Sequence, residues 1–221
     1  MNIEIRIKTK TTSNRGYNSL YPTIGKILMI LTLFTIMISC KSEKEKSLNV
    51  TVSGDLHEQR IDTIKMTNGF DFPVGKPDAK KYYNAQKFGV NAHLGDDWNG
   101  IGGGNTDLGD PIYSIGNGYV SYAKNIYGGW GNVIRIVHYI NKDNKVESLY
   151  AHCNEIFVKK GDYVEKGQKI GTIGNNDGLY LAHLHFELRS KVGMPIGGGY
   201  SSNTEGYLDP TKFIKNNRTK K

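Results

Sequence analysis

Asn132-Val133-Ile134-Arg135-Ile136-Val137-His138-Tyr139 alternates with a period of two, with Val133, Arg135 and Val137 on one side and Ile134, Ile136 and His138 on the other. Successive side chains of a strand point to opposite faces, so the stretch predicts a strand with at least one face in a core. Segments of the same kind, β-branched or aromatic and broken by glycine, lie at residues 112–115, 118–123, 148–152, 169–173 and 184–189. No amphipathic helical pattern approaches these in strength. The expected fold class is mainly β, an antiparallel sheet with long loops, with a short helix after Asp209-Pro210. The 27 glycines, 14 tyrosines and 6 prolines among 221 residues suit a domain of strands and tight turns.

Working outward, the folded domain is expected at residues 70–215, opening on Phe70-Asp71-Phe72-Pro73-Val74-Gly75, with a basic tail at 216–221. Residues 40–69 read as a tether and linker, because Lys41-Ser42-Glu43-Lys44-Glu45-Lys46-Ser47 carries charge and no apolar content; its later part has room for an edge strand. Residues 1–39 read as a signal peptide. A basic region ending at Lys26 precedes a twelve-residue apolar run, Ile27 to Ile38, which is short for a membrane span but suits a signal-peptide core. The run closes on Ser39-Cys40, which resembles a bacterial lipobox; that implies acylation of Cys40 and a lipid anchor in a bacterial membrane after export. With Cys40 acylated, Cys153 has no partner for a disulfide within the chain.

The formal charge is +8, but residues 1–39 hold five basic residues and one acid, and the remainder is +4, with 24 basic and 20 acidic residues. So mild an excess suits an anionic polymer nearby. There is no basic patch interleaved with aromatics, so no nucleic-acid partner is expected. No residue pattern specifies an oligomer.

Five of the chemistry-bearing residues fall into three short clusters: His93-Leu94-Gly95-Asp96-Asp97, Tyr150-Ala151-His152 and His183-Leu184-His185. Only His57 and His138 lie outside them. A hydrolytic zinc needs three protein ligands, an open position for water and nearby groups that move protons. His93 and Asp97, four apart, share a face on either a helical turn or an extended strand; in the extended reading Asp96 points the other way, so Asp97 is the better ligand of the two aspartates. Gly95 argues against a helix there and is expected to leave space above the backbone for a ligand. Period two on residues 183–189 sets both imidazoles on one face with Leu184 in the core.

These motifs resemble the lysostaphin/LytM-type zinc endopeptidases, as do the hairpin from Val158 to Gly171 and the ending Tyr207-Leu208-Asp209-Pro210. The resemblance covers roughly residues 70–215 and implies one zinc ion held by His93, Asp97 and His185, with His152 and His183 as unliganded catalytic histidines. It implies an endopeptidase acting on peptide cross-links of cell-wall peptidoglycan; the expected membrane tether and the mild positive charge favour a directly cross-linked stem peptide (a D-alanine-to-diamino-acid bond) over a glycine bridge as substrate. Residues 175–182 depart from the family's small-residue loop. Glycine-rich insertions at 99–106 and 193–206 are expected to form the groove walls.

Three other readings compete. A catalytically inactive relative that binds the wall or activates another hydrolase would lack one or more of the five residues. A lipoyl- or biotinyl-type carrier would explain the hairpin at 161–168, but it requires a flanked lysine at the tip and leaves the histidines idle. A metallo-β-lactamase-like hydrolase would continue the paired histidines into Asp-His, where this chain has Phe186-Glu187.

Overall fold

The structure, a computed structural model, describes residues 65–219; the expected signal peptide, Cys40 and the tether up to residue 64 lie outside them. Its strands are β1 (Tyr82–Gln86), β2 (Asp96–Gly100), β3 (Pro111–Tyr113), β4 (Gly118–Asn125), β5 (Asn132–Tyr139), β6 (Lys145–Ile156), β7 (Tyr163–Val164), β8 (Lys169–Ile173), β9 (Leu184–Arg189) and β10 (Tyr207–Leu208), with one α-helix, α1 (Pro210–Asn216). The sheet is antiparallel and runs β1-β2-β9-β6-β5-β4-β7, with β10 beside β9 and β8 joining β6 to β3. The expected class, mainly β with an antiparallel sheet, is the class observed. β1 was not anticipated, and β2 only as an extended stretch around Asp96 and Asp97. Asp96-Asp97-Trp98-Asn99-Gly100 has no strand pattern of its own and is held extended between β1 and β9.

β9 shows how the alternation divides the molecule. Leu184, Phe186 and Leu188 enter the main core with Trp98, Ile134, Ile136 and Tyr150. Burying each large apolar side chain stabilises the fold by roughly 1.5–3 kcal/mol. His185, Glu187 and Arg189 take the other face and are nonetheless buried. There a second, smaller cluster of Val133, Leu149 and Ala151 packs against Trp130 and Ile196. Helix α1 closes the core with Ile214, while Phe213 meets Phe70 edge-on at 5.0 Å. It starts where the sequence predicts: Pro210 opens it, and the Asp209 carboxylate accepts from the Lys212 N–H at 2.8 Å.

One polar chain crosses the core. Tyr150 Oη lies 3.1 Å from Ser148 Oγ, which lies 2.7 Å from His138 Nε2. A neutral His138 satisfies it, accepting from Ser148 at Nε2 and donating from Nδ1 to the Asn117 carbonyl at 3.0 Å. Burial drives the His138 pKa down to about 4 against those backbone contacts.

β6 changes partners midway. From Glu147 to Ala151 it pairs with β9; from Cys153 to Ile156 it pairs with β8. The residue at the changeover is His152, with φ +57°, a left-handed conformation that a non-glycine residue adopts at a cost. The sequence reading ended this strand at His152, whereas the strand bulges there and continues to Ile156.

Candidate metal centre and active site

Asp97 on β2 and His185 on β9 are direct cross-strand partners. His93 arrives from outside the strands, after a tight turn at Val90–Ala92, and is fixed by backbone pairing to Tyr200. The three side chains converge. His93 Nε2 lies 3.0 Å from His185 Nδ1 and 3.3 Å from Asp97 Oδ1, and His185 Nδ1 lies 3.0 Å from Asp97 Oδ1. Among the described residues this is the group of histidine, cysteine and carboxylate side chains able to hold a metal ion. Ligands 2.0–2.1 Å from a tetrahedral zinc are about 3.3 Å apart, so the triangle fits one face of that tetrahedron. The donor set, two imidazoles and a carboxylate, also suits a hydrolytic zinc.

Asp96 points away, as expected. It accepts from the Thr211 hydroxyl at 2.6 Å and the Phe88 N–H at 3.1 Å, tying β2 to helix α1. The expectation for Gly95 is corrected. A Cβ there would lie 2.5 Å from the Phe186 carbonyl, so the glycine lets β2 approach the β9 backbone rather than clearing space for a ligand.

The far nitrogen of His185 is held as well. Nε2 meets Glu187 Oε1 at 3.2 Å, and Arg189 donates to Glu187 Oε2 from Nε at 2.9 Å and from Nη2 at 2.6 Å. A carboxylate on the outer nitrogen fixes tautomer and ring orientation and raises ligand basicity. Burial opposes a charged His185, but hydrogen bonds to Asp97 and Glu187 outweigh it and raise its pKa to about 9. Burial pushes the Asp97 carboxyl up, and its bonds to His185 and His93 overcome this and hold it well below the usual carboxylate range. Glu187 stood in the sequence motif without a role, and Arg189 was read only as strand. Their signal was two opposite charges on the histidine face of one strand.

His152 and His183 stand together beside this triangle. Their rings are 4.8 Å apart, and His152 is 5.8 Å from His185. His183 lies just before β9, and its Nδ1–H donates to the Leu181 carbonyl at 2.8 Å, which in a neutral ring leaves Nε2 free to accept. Burial, then the charges of His183 and His185, lower the His152 pKa to about 3. His152 Nδ1 is buried without a partner.

A cavity of about 470 Å³ opens over Asp97, His152, His183 and His185. Gly198, Gly199 and Tyr200 wall it on one side, Gly129 and Trp130 on another, and Tyr180 beside the two histidines. The insertion at 193–206 is thus part of the groove, as expected. The insertion at 99–106 is not: Asn105 and Asn99 hydrogen-bond the backbone of Ala182 instead, bracing the 175–182 loop from behind. That loop supplies Tyr180, 4.9 Å from the His152 ring, which sequence reasoning missed.

Residues 97–197 match the sequence profile of peptidase family M23. The lipoprotein NlpD of Yersinia enterocolitica is 41% identical over 83 residues, covering 38% of this chain and 80% of that relative. The chain belongs to peptidase family M23. Two further relatives are similar to part of the chain. The murein hydrolase activator NlpD of Escherichia coli (strain K12) is 39% identical over 83 residues, 38% of this chain and 21% of its own length. The peptidoglycan DD-endopeptidase ShyB of Vibrio cholerae is 36% identical over 107 residues, 44% of this chain and 24% of its own length. The M23 chain therefore spans less than a quarter of either. Lysostaphin from Staphylococcus simulans is similar in structure, with 26% identity, a TM-score of 0.47 and coverage of 62% of this chain and 50% of its own.

Proposed function

We propose that the chain is a zinc-dependent endopeptidase that hydrolyses peptide cross-links of peptidoglycan. The observation carrying this reading is that the ligand triangle and both extra histidines are present together, with Asp97, His185, His152 and His183 bordering one cavity and His93 buried behind it. His93, Asp97 and His185 would hold the ion, leaving the site a single net positive charge. A bound zinc supplies Lewis acidity and brings the pKa of water in its open position towards neutrality. One of His152 and His183 would accept a proton from the attacking water, and the other would stabilise the negative charge on the substrate carbonyl oxygen. Burial, then the charges of His183 and His185, hold His152 neutral at physiological pH. Glu187 keeps the His185 ring in ligating orientation.

The second reading, a wall-binding or hydrolase-activating chain without activity, takes support from the name of the Escherichia coli relative. The filled ligand and histidine positions favour the enzyme. For the substrate, the +4 charge beyond residue 39 suits anionic stem peptides, so a D-alanine-to-diamino-acid cross-link is the bond assigned. Purified cross-linked muropeptide dimers should be cut to monomers with intact stems. Cleavage of pentaglycine with no action on dimers would reverse the choice.

Acylation at Cys40, with the preceding residues removed as a signal peptide, would set this domain at the cell envelope on a tether. Fatty-acid labelling should mark the wild type and spare Cys40→Ser; equal labelling of both would rule out Cys40 as the attachment site.

A further inference from the structure

We propose that Arg189 is a positioning residue that couples the metal ligand His185 to the groove wall at residues 194–200, an inference that rests on the metal-centre reading above. All five N–H groups of its buried guanidinium are engaged. Two reach the Glu187 carboxylate, the group on the outer nitrogen of His185. The other three donate to consecutive backbone carbonyls: Nη1 to Met194 at 3.5 Å and Pro195 at 2.9 Å, and Nη2 to Ile196 at 2.7 Å. Those carbonyls begin the segment whose next residues, Gly198, Gly199 and Tyr200, wall the cavity, and Tyr200 in turn pairs with ligand His93. One planar group thus spans the gap between ligand and wall.

The geometry requires arginine. A lysine ammonium has three donors at one point; it can neutralise Glu187 but cannot also reach three carbonyls in a row. The loop has other anchors, with Arg135 on the Met194 carbonyl, Glu147 accepting from the Gly193 N–H and Trp130 on the Gly197 carbonyl, so loss of Arg189 loosens it without releasing it. Loosening it frees the wall on which substrate lies; weakening Glu187 frees the ligand. The two effects are separable by mutation because Nε serves Glu187 alone and Nη1 serves the loop alone, with only Nη2 shared between them.

The test uses Arg189→Lys and Glu187→Gln in the full chain, with zinc affinity from chelator competition and backbone NMR order parameters at residues 196–199 as readouts. Arg189→Lys should lower the order parameters from about 0.85 towards about 0.6, with zinc affinity nearly unchanged. Glu187→Gln should lose about 10–100-fold in zinc affinity, as outer partners of metal ligands usually do, with the loop's order parameters in the zinc-free protein unchanged. Wild-type order parameters in Arg189→Lys, or wild-type affinity in Glu187→Gln, overturn the proposal. Should Arg189→Lys not fold, the wild type answers: zinc should raise the order parameters at 196–197, and this response should disappear in Glu187→Gln. Its persistence there would equally overturn the coupling. Neither readout depends on peptidase activity, so an inactive chain that gives these results keeps the coupling and loses only the enzyme assignment.

Discussion

His138 should make the domain sensitive to mild acid, and the effect can be sized. Its ring is fully buried, neutral and satisfied at both nitrogens, and its pKa falls from 6.5 to about 4 on folding. Between those values the unfolded chain binds a proton that the folded chain refuses. The stabilisation is therefore complete above about pH 6.5 and is lost as the pH falls to 4. At 1.36 kcal/mol per pH unit the loss amounts to about 3 kcal/mol, a large share of a typical domain's stability. Urea denaturation of wild type and His138→Gln at pH 7.5, 6, 5 and 4, with chelator throughout so that metal release does not contribute, isolates it. The wild type should lose about 3 kcal/mol more than the variant across that range. Parallel stability curves would show that His138 takes up its proton without cost and would refute the reasoning.

Two further outcomes follow from the site. His93→Ala and Asp97→Ala should each lose most bound zinc by elemental analysis, because among the described residues no cysteine or further carboxylate joins this group to replace the lost donor; full occupancy in both would remove these residues from the ligand set. Gly95→Ala should destabilise the fold by about 1–3 kcal/mol in thermal or urea unfolding, because its Cβ would meet the Phe186 backbone carbonyl, which has little freedom to move. It should also weaken zinc binding by shifting Asp97 away from its cross-strand partner His185; unchanged stability would contradict the close β2–β9 approach.

The strands legible in the sequence are those with a face in the main core. Period two gave β5, β8 and β9 their bounds because burial on that face leaves no freedom of register. β2 was legible only through the His93–Asp97 motif and not as a strand with bounds, since its extension comes from pairing on both sides and its acidic residues serve the site and the α1 junction. The site residues were legible as motifs; their mechanics were not. His152 reaches the cavity because β6 changes partner there, a tertiary event with no local signal. Arg189 and Glu187 are buried charges whose compensation comes from a loop several residues downstream, so the strand pattern alone could not show that they face inward. The same holds for Tyr180 and Tyr200, brought to the cavity by loops.

The most direct test of the central claim is digestion of purified peptidoglycan by the purified chain alone, with zinc and then with chelator, products being identified by mass. Release of un-cross-linked stem peptides should occur with zinc, stop with chelator and fall by roughly 10²–10⁴ in His152→Ala that retains its metal. No release by the chain alone, with release only when a second hydrolase is added, would contradict the enzyme and favour an activator.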